Sequence, residues 1–347
     1  MSTVTMRNDP ELSVKRLAMT SLYERLISAL VFVALAIACA QLALTSRMSF
    51  AASADGKQKA STQAAKPRSF ATPELAMQAL AAAVKAGDMT TLRALLGTRG
   101  EAVLDSGDPV EDKASRERFT AAYEAAHKID EKGAKAWIVV GKDEWPLPIP
   151  LLKYGSAWYF DARQGKEELL NRRIGRNELY TIQSVIAYVD AQQEYYQRNP
   201  QNDKLLQYAQ KFISTSGKRD GLYFPTKAGE KPSPLGPLFD ARRAAGYVDD
   251  AGGKPAPYHG YYYRILKAQG PKAGGGAYDY VVNGKMIGGF ALLAYPATYG
   301  NSGIMTFMVN QDGVVYEKNL GPNTAAAAQK ITRFNPDETW TRHEPPK

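Results

Sequence analysis

One segment constrains the fold more than any other: NRRIGRNELYTIQSVIAYVDAQQEYYQRN, Asn171 to Asn199. Ile174, Leu179, Ile182, Val185, Ile186 and Val189 recur at helical spacing and form an apolar stripe. A long helix with one such stripe must lay it against another layer of structure. Arg172, Arg173 and Arg176 cluster near its start. They read as a solvated face, or as partners of Glu167, Glu168 and Glu178, which contributes little to stability.

The layer that follows reads as a sheet. GYYYRIL, Gly260 to Leu266, alternates around three tyrosines, and GGFALLAYPATYG, Gly288 to Gly300, is a strand closed by Pro296. GIMTFMVNQDGVVYEKNLG, Gly303 to Gly321, alternates on both sides of Asp312-Gly313. Asp-Gly between alternating strands is a strong hairpin signal. A calcium loop would need several oxygen ligands at regular spacing, and only Asp312 is ionised in this turn. GKRDGLYFP, Gly217 to Pro225, reads as a turn entering an aromatic strand, and GPKAGGGAY, Gly270 to Tyr278, as a flexible hairpin tip.

Residues 173–335 therefore read as a long helix packed on an antiparallel sheet, similar in layout to a pseudopilin. The helix lacks the apolar N-terminal half through which pilins polymerise, which argues against a filament subunit. Residues 336–347 read as a tail.

Residues 70–172 read as a separate α+β domain. Thr72 and Pro73 open a first helix, Gly87-Asp88 ends it, and Met89 to Leu96 forms a second. A third is expected over Ala114 to His127, with Phe119, Tyr123 and His127 on one face. Strands follow at AWIVVG, Ala136 to Gly141, and AWYFDA, Ala157 to Ala162. Between them Pro146, Pro148 and Pro150 confine WPLPIPLL to an edge strand or extended arm, because proline cannot donate to a ladder. Helices before an antiparallel sheet resemble the cone of nuclear transport factor 2, which has a pocket at its open end. Trp145, Trp158, Asp161 and His127 are the candidate ligand-binding residues of such a pocket. The competing expectation is packing, since strand tryptophans usually fill cores.

The N-terminus is of another kind. Arg7, Lys15, Arg16 and Arg25 precede the uncharged apolar run Leu26 to Leu44. A basic flank before an apolar core is the pattern of an export signal. Residues 1–54 read as that signal or as a membrane anchor, and 55–69 as a linker. Three fates are open: cleavage after Ala52-Ser53-Ala54, retention as an inner-membrane anchor, or lipidation at Cys39. Either way, the rest of the chain is expected in the periplasm.

Charge and composition close off several functions. The net charge is +9, but residues 1–68 hold nine Lys or Arg against four Asp or Glu, leaving 35 against 31 elsewhere. That balance lacks the concentrated basic face of a nucleic-acid protein. Cys39 is the single cysteine, so residues 70–347 offer no thiolate metal site or cysteine nucleophile. His127, His259 and His343 are too scattered for a metal site, and no serine nucleophile motif accompanies them. The glycine-rich stretch lacks the Lys-Ser/Thr of a phosphate loop. No cofactor, metal or catalytic residue is expected.

Several stretches taken together resemble a bacterial family catalogued as domain of unknown function 2950. They are FATPELAMQALAAAVKAGD, SGDPVEDKASRERF, WPLPIPLLKYGSAWYFD, GKEELLNRRIGRNEL, YAQKFISTSGKRDGLYFP and NGKMIGGFALLAYPATYGNSGIMTFMVNQDGVVYEKNLG. The resemblance implies an exported bacterial protein and carries over no activity and no site. The leading expectation is a non-catalytic envelope protein. It would bind a protein partner through Tyr258, Tyr261, Tyr262, Tyr263, Tyr295 and Tyr299, with the proline-rich strand beside them. The alternative is a small-molecule-binding or hydrolytic protein using a pocket in the first domain.

Overall fold

The computed structural model describes residues 68–247 and 256–343. The expected export signal, and all but the end of the linker, lie outside the described residues. Among the described residues no helix is long and apolar enough to cross a membrane. Residues 62–347 form one compact unit, of mixed α+β structure, with two apolar clusters. Because the unit contains both clusters, it carries its own core.

The first cluster is built from four helices and a sheet. α1 (Pro73–Ala86) is capped by Thr72, whose Oγ1 accepts from the Leu75 amide at 3.3 Å. Gly87, at φ 65°, ends it, and Asp88 caps α2 (Met89–Leu96) through the Thr91 amide at 3.0 Å. A short α3 (Glu101–Leu104) follows. α4 spans Pro109–Ala125. It starts and ends earlier than the spacing suggests, because Asp108-Pro109 supplies a cap and a first-turn proline. His127 thus opens a strand instead of closing a helix.

The first sheet comprises β1 (His127–Lys132), β2 (Lys135–Val140), β3 (Trp145–Pro146), β4 (Leu151–Tyr154) and β5 (Ala157–Phe160). The order is β1-β2-β4-β5, all antiparallel, with β3 against the end of β2. Trp145 and Pro146 make the short edge pairing, while Pro148 and Pro150 lie outside the strands. β1 reads HKIDEK, a charged edge strand that hydrophobic alternation could not reveal.

α5 (Lys166–Arg198) begins five residues before Asn171, where the helical segment is expected to start. Of the expected stripe, Ile174, Val185 and Val189 are buried and Ile182 packs against the core, whereas Leu179 is 58% exposed and Ile186 45%. The buried face also takes in Asn177, Thr181, Ser184, Tyr188, Gln192 and Tyr195. Most of its polar atoms have partners, although Asn177 Oδ1 has none among the described residues. Asn177 Nδ2 donates to the Ser302 carbonyl at 2.9 Å, and Gln192 both donates to and accepts from the Ala209 backbone at 2.8 Å. Buried polar groups are tolerable only with such partners.

Beyond α5 come α6 (Gly236–Ala244), β6 (Tyr261–Leu266) and the small pair β7 (Ala268–Gln269) with β8 (Tyr278–Asp279). The glycine-rich residues 270–277 are the tip of that hairpin, and Gln269 Nε2 donates to the Gly274 and Gly276 carbonyls. β9 (Val281–Val282) pairs with β10 (Lys285–Met286). β11 (Ala291–Pro296), β12 (Met305–Asn310) and β13 (Tyr316–Asn319) follow, then α7 (Thr324–Lys330) and β14 (Thr341–Arg342). The main sheet runs β14-β13-β12-β11-β6, antiparallel throughout, with α5 against β11 and β12. Residues 341–342 of the expected tail therefore add an edge strand. Asn310-Gln311-Asp312-Gly313 is a bend: Asn310 Oδ1 accepts from the Asp312 amide at 3.2 Å and Gly313 takes φ 72°.

The part built around the first apolar cluster is the first lobe and the part built around the other is the second, and several groups join them. Asp108, 1% exposed, accepts at Oδ1 from the Val110 and Glu111 amides, and at Oδ2 from Tyr247 Oη at 2.8 Å and the Gly260 amide at 2.9 Å. Asn301 Nδ2 donates to the Asp105 carbonyl at 2.7 Å. Arg173 donates to the Ala102 and Val103 carbonyls and to Asn301 Oδ1.

Candidate functional site

α4 is an unusual helix for this fold, because Glu111 is its one buried residue. Its sequence, PVEDKASRERFTAAYEA, carries too few large apolar side chains to press it fully onto the core. A cavity of about 500 Å³ lies beside it. Leu80 and Val84 from α1, Leu92 and Leu96 from α2, and Phe119 and Ala122 from α4 line it. Val140, Leu147 and Ile149 add apolar surface from the sheet side, and Trp145 and Leu169 complete the wall. This volume lies within the usual range for small-molecule sites, which are mostly apolar with a few placed polar groups.

The polar groups here are mainly arginines. Arg116 and Arg118 come from α4, and Arg172, Arg173 and Arg176 from the first turns of α5; Asp112, Ser115 and Asp143 also line the cavity. Arg118 Nη2 bonds Glu111 Oε1 at 2.6 Å, and Arg176 Nη2 reaches the same oxygen at 3.3 Å. Arg172 pairs with Glu168, and its guanidinium carbon lies 5.4 Å from the centre of the Trp145 ring. Burial lowers the Arg173 pKa, and its direct acceptors are neutral carbonyls and an amide. Asp112 accepts from the Ser106 amide at 3.0 Å, and burial pushes its carboxyl above the usual range. Arg116 is half-buried and has no side-chain partner among the described residues.

The residues singled out in the sequence separate here. Trp145 lines the cavity. Trp158, 2% exposed, belongs to the core, pairs across the sheet with Lys153 and bridges to Phe70. Asp161 sits in the turn before α5. Arg163 grips it at 2.8 and 2.9 Å, and that bonding holds its carboxyl down to about 2. His127 is exposed, stacked on Tyr123 at 4.0 Å, with Nδ1 2.8 Å from the Tyr123 carbonyl oxygen. Neither Trp158, Asp161 nor His127 lines the cavity. Arg172, Arg173 and Arg176 are expected as a solvated face or as partners of Glu167, Glu168 and Glu178; Arg172 does pair with Glu168, but all three also line the cavity. Two signals point to the cavity: Arg172, Arg173 and Arg176 share the opening turns of a helix whose apolar pattern starts late, and Arg116 and Arg118 lie just before Phe119.

The tyrosine-rich stretches are largely turned inward. Tyr258 and Tyr261 are buried, and Tyr262, Tyr263, Tyr295 and Tyr299 are half-buried. A second cavity of about 500 Å³ lies beyond the end of α5, near Tyr195, Asp203, Lys211, Asp220 and Lys285. Its charges pair off as Lys211–Asp220 at 2.7 Å and Lys285–Asp203 at 2.9 Å. Among the described residues no group of three or more His, Cys, Asp or Glu is placed to hold a metal ion.

No curated protein and no solved structure matches the chain. A family model does, over residues 67–343, which include both lobes and every residue lining the arginine-flanked cavity. The chain belongs to the family described as protein of unknown function (DUF2950).

Proposed function

We propose that this is a non-catalytic binding protein of the bacterial envelope, whose first lobe takes a small molecule with an apolar body. The observation that carries the reading is the cavity beside α4, walled by Leu80, Leu92, Leu96, Leu147, Ile149 and Phe119. The cone-like reading of residues 70–172 and the pseudopilin-like reading of 173–335 remain part of the proposal. They are supported by the order of helices and sheet in each. Export rests on Arg7, Lys15, Arg16 and Arg25 before the apolar run Leu26 to Leu44. An alkaline phosphatase fusion after Ser69 is expected to be active, and a stable inactive fusion would refute export.

The binding reading is tested on residues 62–347 with a panel of apolar-bodied small molecules. Ligands should raise the melting temperature in proportion to occupancy. Ala122→Phe, which projects a ring from α4 into the cavity, should abolish those shifts while the fold persists. Absence of any shift across the panel would refute the reading.

A partner-binding role has one observation in its favour. Leu179 and Ile186, seven residues apart on α5, are both exposed, with Tyr180 beside them. Such a strip on one helix face suits a protein contact. Crosslinking in envelope extracts should recover one reproducible partner, and loss of that partner in Leu179→Glu would tie it to this face.

A further inference from the structure

We infer that the ligand of the first-lobe cavity is an anionic amphiphile, an apolar chain ending in a carboxylate or phosphate that Arg116 and Arg176 receive. The inference rests on the small-molecule reading above and deepens it by naming the ligand's head. Five guanidiniums line one apolar cavity, against two lining carboxylates, Asp112 and Asp143. Behind them Glu168 holds Arg172, and Glu111 is shared between Arg118 and Arg176. One carboxylate for two arginines leaves a positive charge that the protein does not neutralise there.

Two atoms sharpen the case. Arg176 Nε is buried and has no hydrogen-bond partner. An N–H donor withheld from water in this way costs free energy until an acceptor reaches it. Arg116 is half-buried against the cavity, again with no side-chain partner among the described residues. Guanidinium is the side chain best matched to carboxylate and phosphate oxygens, through paired N–H donors in one plane. Most of the remaining lining is hydrocarbon, so a fully polar anion would leave that surface without a partner. A cation would meet a net positive charge, five guanidiniums against four carboxylates.

The test compares dodecanoate, dodecyl phosphate, methyl dodecanoate and dodecyltrimethylammonium by titration calorimetry on residues 62–347. Dodecanoate or dodecyl phosphate should bind at least about tenfold more tightly than the ester. Whichever of the two binds more tightly identifies the head. The ammonium should bind more weakly than the ester. Arg116→Gln is the clean variant, because Arg116 has no partner to strand. It should bring the anion and ester affinities close together and leave the ester unchanged, whereas Arg116→Lys should retain part of the preference. Arg176→Gln should act in the same direction, with Glu111 still held by Arg118. Equal affinity for anion and ester in the native chain would overturn the inference while leaving the small-molecule reading intact. Failure of all four probes to bind would overturn both.

Discussion

Asp108→Ala should destabilise residues 62–347 more than most single substitutions, for a reason visible atom by atom. The carboxylate is 1% exposed and accepts four hydrogen bonds. Two come from the first turn of α4, and losing such a cap costs about 1 kcal/mol. The other two come from Tyr247 Oη and the Gly260 amide in the second lobe, both buried. Each buried donor left without an acceptor costs about 1–3 kcal/mol. The sum is about 3–7 kcal/mol, which for a unit of this size lowers the melting temperature by roughly 5–12 °C. Tyr247→Phe removes one donor and leaves three, so it should cost about 1 kcal/mol. The assay is urea unfolding followed by circular dichroism, with both single variants and the double variant. The double should cost less than the sum of the singles, because the two groups bond each other. A cost below about 1 kcal/mol for Asp108→Ala, or full additivity, would refute the idea that this carboxylate ties the lobes.

Gly165→Ala should also be costly, because Gly165 adopts φ 77° and a Cβ there would sit 2.0 Å from the Pro148 carbonyl oxygen; its urea midpoint measures the loss. Glu178→Ala should cost about 2–4 kcal/mol in the same assay, since Oε1 accepts from the Ile304 and Met305 amides at 2.9 Å each. Asp161 makes a prediction in pH. Bonding to Arg163 lowers its pKa from 3.8 to about 2 in the folded chain. Its contribution is therefore present above pH 3.8 and is lost as pH falls toward 2. Asp161→Asn should flatten the fall in stability across that window, measured by thermal melts in a pH series. An unchanged slope would show that the Asp161–Arg163 pair contributes nothing.

How much of this was legible depended on whether the cause was local. Thr72-Pro73 and Gly87-Asp88 fix the ends of α1 and α2 with residues inside or beside each helix, and both ends stand where the sequence puts them. The Asp312-Gly313 bend is local in the same sense. β1 escaped notice because its partner β2 supplies the apolar face, while HKIDEK carries charge along an edge. The apolar part of the buried face of α5, Ile174, Val185 and Val189, is legible, but its polar part is not, because Asn177, Thr181 and Gln192 count as polar although each meets a specific group in the fold. Arg173 shows the same limit most plainly: its carbonyl partners lie 71 and 70 positions upstream. The two tryptophans look alike in sequence. Strand pairing separates them, with Trp158 on β5 between β4 and the Phe70 bridge, and Trp145 on the short β3 edge beside the cavity.

α5 belongs to both lobes at once. Leu169, Arg172, Arg173 and Arg176 in its first turns face the cavity, while Tyr188, Gln192 and Tyr195 near its far end lie in the second core. At 33 residues it is about 50 Å of continuous helix. A rod of that length converts angle into distance: each degree of tilt about its first turn displaces its last turn by about 0.9 Å. Packed cores do not yield smoothly to displacements of that size. The arginines at one end are therefore mechanically geared to the tyrosines at the other, and neither end can be repositioned without the other registering it.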